Sequence, residues 1–140
     1  MELDINWLAV VLATIASMVV AGVWYQVFTF GKQWKQLTNI DEKRAEKAGN
    51  TPMVVVLVVN FFTAIVLAVA IAITSAYFGN SSVWLALATG VVVWLAFSAT
   101  TLLTHNMFEQ KPLKLTAINS GYQLAMFVVM SLAIGLWHGL

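Results

Sequence analysis

Four long apolar runs separated by short polar segments dominate the chain. No charged residue occurs between Asp4 and Lys32, between Lys47 and Glu109, or after Lys114. The middle gap is too long for one crossing, and Gly79-Asn80-Ser81-Ser82 divides it. A crossing needs about 20 apolar residues to span a hydrocarbon core of roughly 30 Å. The runs are continuous rather than alternating, which predicts helices rather than strands. Only helices or closed barrels satisfy their backbone polar groups in lipid. The pattern therefore predicts an all-α integral membrane four-helix bundle, a single transmembrane domain over residues 1–140. Its helices fall at about Ile5–Phe30, Pro52–Phe78, Val83–His105 and Leu113–Trp137.

Local signals support these boundaries. Thr51-Pro52 reads as a cap followed by proline at the first helical position, where the missing N–H costs nothing. Ser81 or Ser82 caps the third helix, and Pro112 opens the fourth. Between the first two runs, Asp41-Glu42 precede Lys43-Arg44 and Lys47, and Gly49 follows. That order complements a helix dipole at both ends and predicts a short cytoplasmic surface helix in a solvated connector. The acidic start Met-Glu-Leu-Asp and the length of the first run predict no cleavable signal peptide.

Composition agrees with the pattern. Of 140 residues, 61% are hydrophobic and 9% charged, whereas soluble domains carry roughly 25% charged residues. The net charge of +1 is uninformative about partners, but its placement is not. All seven Lys and Arg fall in two loops: Lys32, Lys35, Lys43, Arg44 and Lys47 in the first, Lys111 and Lys114 in the third. In a chain crossing four times these loops share a side. The positive-inside rule makes that side cytoplasmic, with both termini and the Gly79–Ser82 turn outside. Trp7, Trp84 and Trp137 then mark the outer interface, Trp24 and Trp34 the inner one. Lys32 and Lys35 are candidates for contact with lipid headgroups at about 1 kcal/mol each, with plain topology-setting charge the favoured reading. The expected place is a bacterial inner membrane, with no nucleic-acid partner.

Apolar side chains gain nothing by moving from lipid to protein, so close backbone packing must hold such helices together. Small residues recur every four positions: Ala9, Ala13, Ser17 and Ala21 in the first helix; Ala64, Ala68, Ala72 and Ala76 in the second; Ala117, Gly121, Ala125 and, after a gap, Ala133 in the fourth. These stripes are expected to face protein. Asn119 and Gln123 lie opposite the fourth stripe, so both faces of that helix want protein, which points to a homo-oligomer.

Candidate chemistry gathers in the cytoplasmic half. Asn60 continues the second stripe. Ser98, Thr101 and His105 share a face with Trp94 on the third helix, with Glu109 one turn on. Asn119, Tyr122 and Gln123 lie together on the fourth, and Trp24-Tyr25-Gln26 ends the first. Polar groups in a membrane are usually paired and often functional; the competing reading is that they hydrogen-bond between helices and fix the fold, at roughly 0.6–2 kcal/mol each. His105 and Glu109, spaced i, i+4, suit a proton-handling pair or two metal ligands. A metal site takes three or four ligands, so a neutral histidine and an interfacial carboxylate are the favoured reading. His138 belongs to the opposite membrane face, so the two histidines of one chain cannot share a haem. No cysteine is present, and no phosphate-binding loop or nucleophile elbow occurs. No catalytic residue, metal or cofactor is expected.

Several segments resemble a family of small bacterial membrane proteins, the domain-of-unknown-function 1761 family. They are Ile5–Val10, Gly22-Val23-Trp24-Tyr25, Phe30-Gly31-Lys32-Gln33-Trp34, His105–Leu115 and Ile118–Leu124. The Gly-x-Trp-Tyr and Phe-Gly-Lys-x-x-Trp pair is the most specific part. Where the family often has proline shortly after Trp-Tyr, this chain has Gln26-Val27, which puts a helix kink there in doubt. The resemblance implies four helices, an inner-membrane location and no established activity.

Three functions fit this reading. The first is a homo-oligomer that binds or conducts a small molecule, ion or lipid through the polar cluster. The second is an accessory or scaffold subunit packed on another, unidentified membrane protein. The third, a membrane enzyme like the trimeric four-helix glutathione-transferase-like proteins, is disfavoured. Those use intramembrane arginines, and the only arginine here is Arg44, in a loop.

Overall fold

The computed structural model describes residues 3–26 and 29–137. Among these the chain is helical, without strands. Six helices follow in order: α1 Trp7–Trp24, α2 Gly31–Thr38, α3 Glu42–Ala48, α4 Thr51–Phe78, α5 Val83–Phe108 and α6 Leu113–Trp137. α1, α4, α5 and α6 are long and apolar enough to cross a bilayer, which makes this a multi-pass membrane protein. Residues Trp94–Ala99 of α5 form a π-helical turn.

α1 begins where the Asn6 side chain accepts from the Ala9 amide at 3.2 Å. It stops at Trp24 rather than running to Phe30. The Thr29 hydroxyl lies within 2.6–3.0 Å of the carbonyls of Val23, Trp24 and Gln26. The Phe30 and Gly31 amides donate to the Trp24 and Gln26 carbonyls at 3.1 and 2.8 Å. These bonds occupy carbonyls that a continuing helix would need, so the chain turns. Val27, at the position where a kink was in question, lies outside the described residues, as does His138.

The helix that follows was not expected from the sequence. α2 half-buries Trp34, Leu37 and Thr38 and exposes Lys32, Gln33, Lys35 and Gln36. It packs its apolar side on α6. α3 starts with the Asp41 carboxylate accepting from the Arg44 amide at 2.8 Å and ends at Gly49 with φ +59°. Every α3 residue is exposed. Before α4 the cap residue is Asn50, not Thr51, and Pro52 lies in the first turn. Gly79 ends α4 at φ +60°, and Ser82, not Ser81, caps α5 by accepting from the Leu85 amide at 3.3 Å.

α6 lies between α1 and α5 and also touches α4. α4 packs on α1 and on the first part of α5, Val83–Val93, but barely meets the second part. The stripe on α1 is buried throughout, at Ala9, Ala13, Ser17 and Ala21. The α4 stripe is buried only at Ala64 and Ala68; Ala72 is half-buried and Ala76 exposed. A spacing of four drifts about 40° per step on a helix of 3.6 residues per turn. Burial instead follows Asn60, Ala64, Leu67, Ile71 and Ser75.

α6 departs furthest from its stripe. Ala117 is exposed, and Gly121, Ala125 and Ala133 are half-buried. The buried side chains are large: Ile118, Tyr122, Met126, Met130 and Ile134. The small residues of α1 and α4 leave the space that these side chains fill. Within the chain α6 makes its contacts chiefly with α1 and α5. Between α5 and α6 the backbones come close: a Cβ on Gly135 would stand 2.7 Å from Ala86 Cβ, and one on Gly90 would overlap Ser131 Oγ.

Candidate functional site

The end of the molecule that carries the basic loops is organised by aromatic side chains. The Trp24 indole donates to the Ile118 carbonyl of α6 at 3.0 Å, and the Trp94 indole donates to the Ser120 carbonyl at 3.0 Å. Each carbonyl has a second lone pair beyond its helical bond, so α6 is held from both flanks without losing its own ladder. Gly121 makes room: a Cβ there would sit 3.0 Å from Trp24 Cζ2. The Tyr25 hydroxyl donates to Asn119 Oδ1 at 2.8 Å. Tyr25 also meets Tyr122 and Trp34 edge-on at 5.3 and 5.5 Å, and Phe30 lies 4.7 Å from Trp24.

Burial first, and the neighbouring Tyr122 second, push the Tyr25 phenol well above its ordinary range. The neutral form is thus favoured by folding. A group raised in this way contributes stability below its unfolded value, about 10, and loses it as the pH climbs past that point. Tyr25→Phe is expected to cost about 1 kcal/mol at neutral pH by deleting one interhelical bond. It should also flatten the loss of thermal stability above about pH 10. Melting curves of both forms between neutral and alkaline pH check this; parallel curves would contradict it.

Not all the expected residues join this group. Asn60 is buried elsewhere, donating to Ser17 Oγ at 3.0 Å and reaching Met18 Sδ at 3.7 Å. It ties α4 to α1, and Asn60→Ala is expected to lower stability by about 1 kcal/mol in a detergent unfolding titration. Thr101, His105 and Glu109 are exposed. Glu109 pairs with Lys111 at 2.7 Å; that hydrogen bond, then the lysine charge, holds its carboxyl below the ordinary carboxylate range. Among the described residues no group of three or more His, Asp or Glu is placed to hold a metal. Asn106 is buried where His105 was expected, donating to Thr116 Oγ1 at 2.8 Å. The π-helical turn explains the exchange: it inserts extra backbone between Trp94 and Thr101, so residues beyond it do not keep the face that a 3.6-residue period assigns.

Thr101 and Gln123 meet in a different place. α4 and α5 part beyond Val93, and a cleft follows their seam. Near the basic end it is lined by Thr63, Ser98, Thr101, Gln123 and Phe127, with a volume of about 280 Å³. It continues as an apolar stretch of about 420 Å³ along Phe62, Val66, Leu67, Ala70, Val93 and Phe97. A further stretch of about 380 Å³ runs past Thr74, Leu85 and Thr89 toward the Gly79 turn. No charged residue lines any of the three. Thr63 and Thr101 donate their hydroxyls to their own helices, at 2.9 and 2.7 Å.

A family model described as "Protein of unknown function (DUF1761)" matches residues 8–135. The chain belongs to the DUF1761 family. The match takes in nearly all of the four long helices, the aromatic clamp and the cleft. No curated protein and no solved structure matches the chain. The two tryptophan motifs of this DUF1761 chain have a shared physical role. Trp24, Tyr25, Phe30 and Trp34 close one reversal of the chain on α6. Of the residues in that reversal, Thr29 carries no signal in the sequence, whereas Phe30 and Trp34 lie inside the quoted motif. Thr63 was not singled out as a candidate residue, because its relation to Ser98 depends on where α4 and α5 separate.

Proposed function

We propose that this is a bacterial inner-membrane protein that binds a small molecule or lipid entering laterally from the bilayer, working as a homo-oligomer of four-helix bundles. The basic loops lie on the cytoplasmic side and the termini outside. The observation that carries this reading is the cleft between α4 and α5, which is open along the outer surface of the bundle and brings Thr63, Ser98, Thr101 and Gln123 together at the end that carries the basic loops. Its two apolar stretches, about 420 and 380 Å³, fall in the range of small-ligand sites, roughly 300–1,000 Å³, and the polar end adds about 280 Å³. The aromatic group beside it fits a structural clamp, since the Trp24, Tyr25 and Trp94 donors are already paired. A self-contact surface is offered by the first two turns of α4. Met53 and Leu57 continue its buried face beyond Asn60 yet are 50% and 47% exposed.

Native mass spectrometry after gentle detergent release tests the proposal. A defined oligomer carrying a retained small mass is the expected result. A bare monomer would overturn it and favour the second reading, an accessory subunit whose partner covers the same α4 surface.

A further inference from the structure

We propose that the ligand of the α4–α5 cleft is a neutral, largely apolar molecule bearing one carbonyl or hydroxyl oxygen, and that the Gln123 side-chain amide recognises that oxygen. This inference rests on the reading of the cleft as a lateral binding site and adds the chemistry of its occupant.

Gln123 is ten residues from the start of α6, about 15 Å along the helix, within an apolar segment free of charge after Lys114. Several polar atoms nearby on α6 are engaged. Asn119 accepts from Tyr25, Thr116 accepts from Asn106, and the Ser120 carbonyl accepts from Trp94. The Gln123 amide has no hydrogen-bond partner among the described residues, and it lines the cleft instead. An amide carries two N–H donors and a carbonyl acceptor, and leaving them unpaired in an apolar medium is costly. Lipid tails offer nothing to bond. The cleft thus presents an unused donor pair on one wall, with Ser98 beside it, while Thr63 and Thr101 have given their own protons to helix carbonyls.

The surroundings select among lipid-phase molecules. No cation lines the cleft along its length, so a phosphate or carboxylate would be desolvated without a counter-charge. No anion lines it either, so an amine meets the same obstacle. What fits is an uncharged oxygen at the Gln123 end and an apolar body lying along Phe62, Val66, Val93 and Phe97 toward Leu85.

The test uses the full chain in phosphatidylcholine nanodiscs with two probes of equal length, hexadecan-2-one and hexadecane. Side-chain ¹⁵N labelling of glutamine reads Gln123 directly. The expected result is a shift of the Gln123 amide resonance with the ketone and none with the alkane. Gln123→Leu should then weaken ketone retention about tenfold, the loss of one buried hydrogen bond, and leave hexadecane retention and the melting temperature unchanged. Equal retention of the two probes by the native chain would overturn the inference. So would a Gln123 resonance that ignores the ketone, or one that responds only to protein density, which would pair the amide with a second copy. If native mass spectrometry instead finds a phospholipid that Gln123→Leu does not displace, this inference fails while the broader reading stands. Absence of any retained mass removes both.

Discussion

Gly31→Ala is expected to lower the stability of the protein by about 3 kcal/mol, at the upper end for overpacking. A Cβ at this position would overlap the Tyr25 carbonyl oxygen and stand 2.7 Å from that of Gln26. Both atoms are backbone, and the Gln26 carbonyl already receives the Gly31 amide at 2.8 Å. Neither can move without opening the reversal that follows α1. Opening it separates Trp34 from Tyr25 and lifts α2 away from α6. The other motif of the pair, Gly22-Val23-Trp24-Tyr25, contains a control. A Cβ on Gly22 meets nothing within 4 Å, and Gly22→Ala, in the interior of α1, is expected to be neutral or to stabilise by up to about 1 kcal/mol. Denaturant titration in detergent micelles, followed by tryptophan emission, separates the two. A Gly31→Ala protein with native stability and native emission would show that the chain does not pass itself this closely.

Gly90→Ala acts on the other side of α6, with an expected cost of about 2 kcal/mol. Its Cβ would overlap Ser131 Oγ and lie 3.1 Å from Ser131 Cβ and 3.2 Å from the Phe127 carbonyl. Ser131 is fully buried, and its hydroxyl has no partner among the described residues. Ser131→Ala alone therefore changes stability little, because no hydrogen bond is lost. Combined with Gly90→Ala it removes the nearest clash and leaves the backbone one. The double variant should recover about 1 kcal/mol relative to Gly90→Ala. Contacting residues couple by amounts of this order, so strictly additive effects in a double-mutant cycle would show that α5 and α6 do not meet through these two residues.

The number of membrane-crossing helices was legible because lipid excludes charge, and the gaps between charged residues are long. The α1 stripe was legible for a second reason: α1 uses small residues along its whole contact, so Ala9, Ala13, Ser17 and Ala21 report the interface directly. α6 gave the opposite impression. It supplies bulk rather than clearance, and Tyr122, Met126 and Met130 look no different in sequence from lipid-facing residues. In an apolar solvent hydrophobicity does not distinguish core from surface, so only size and polarity carry information. The candidate site was half legible. Trp24, Tyr25, Asn119 and Tyr122 come together as their common depth suggested. Asn60 pairs with Ser17 instead. His105 and Glu109 leave the group because the backbone of α5 changes its winding between them and Trp94. A period of 3.6 read across that turn assigns faces one position out of step.

The π-helical turn also bears on how this chain tolerates changes in length. Deleting one residue within Trp94–Ala99 would restore ordinary helical winding there and leave the rest of α5 in place, because the wide turn already absorbs one extra residue. Asn106 would then still meet Thr116, with its number in the chain lowered by one. A single-residue deletion in this segment therefore keeps the same neighbour buried and leaves the crossing intact. Relatives that are one residue shorter here are expected to carry their partner for Thr116 one position earlier in the sequence.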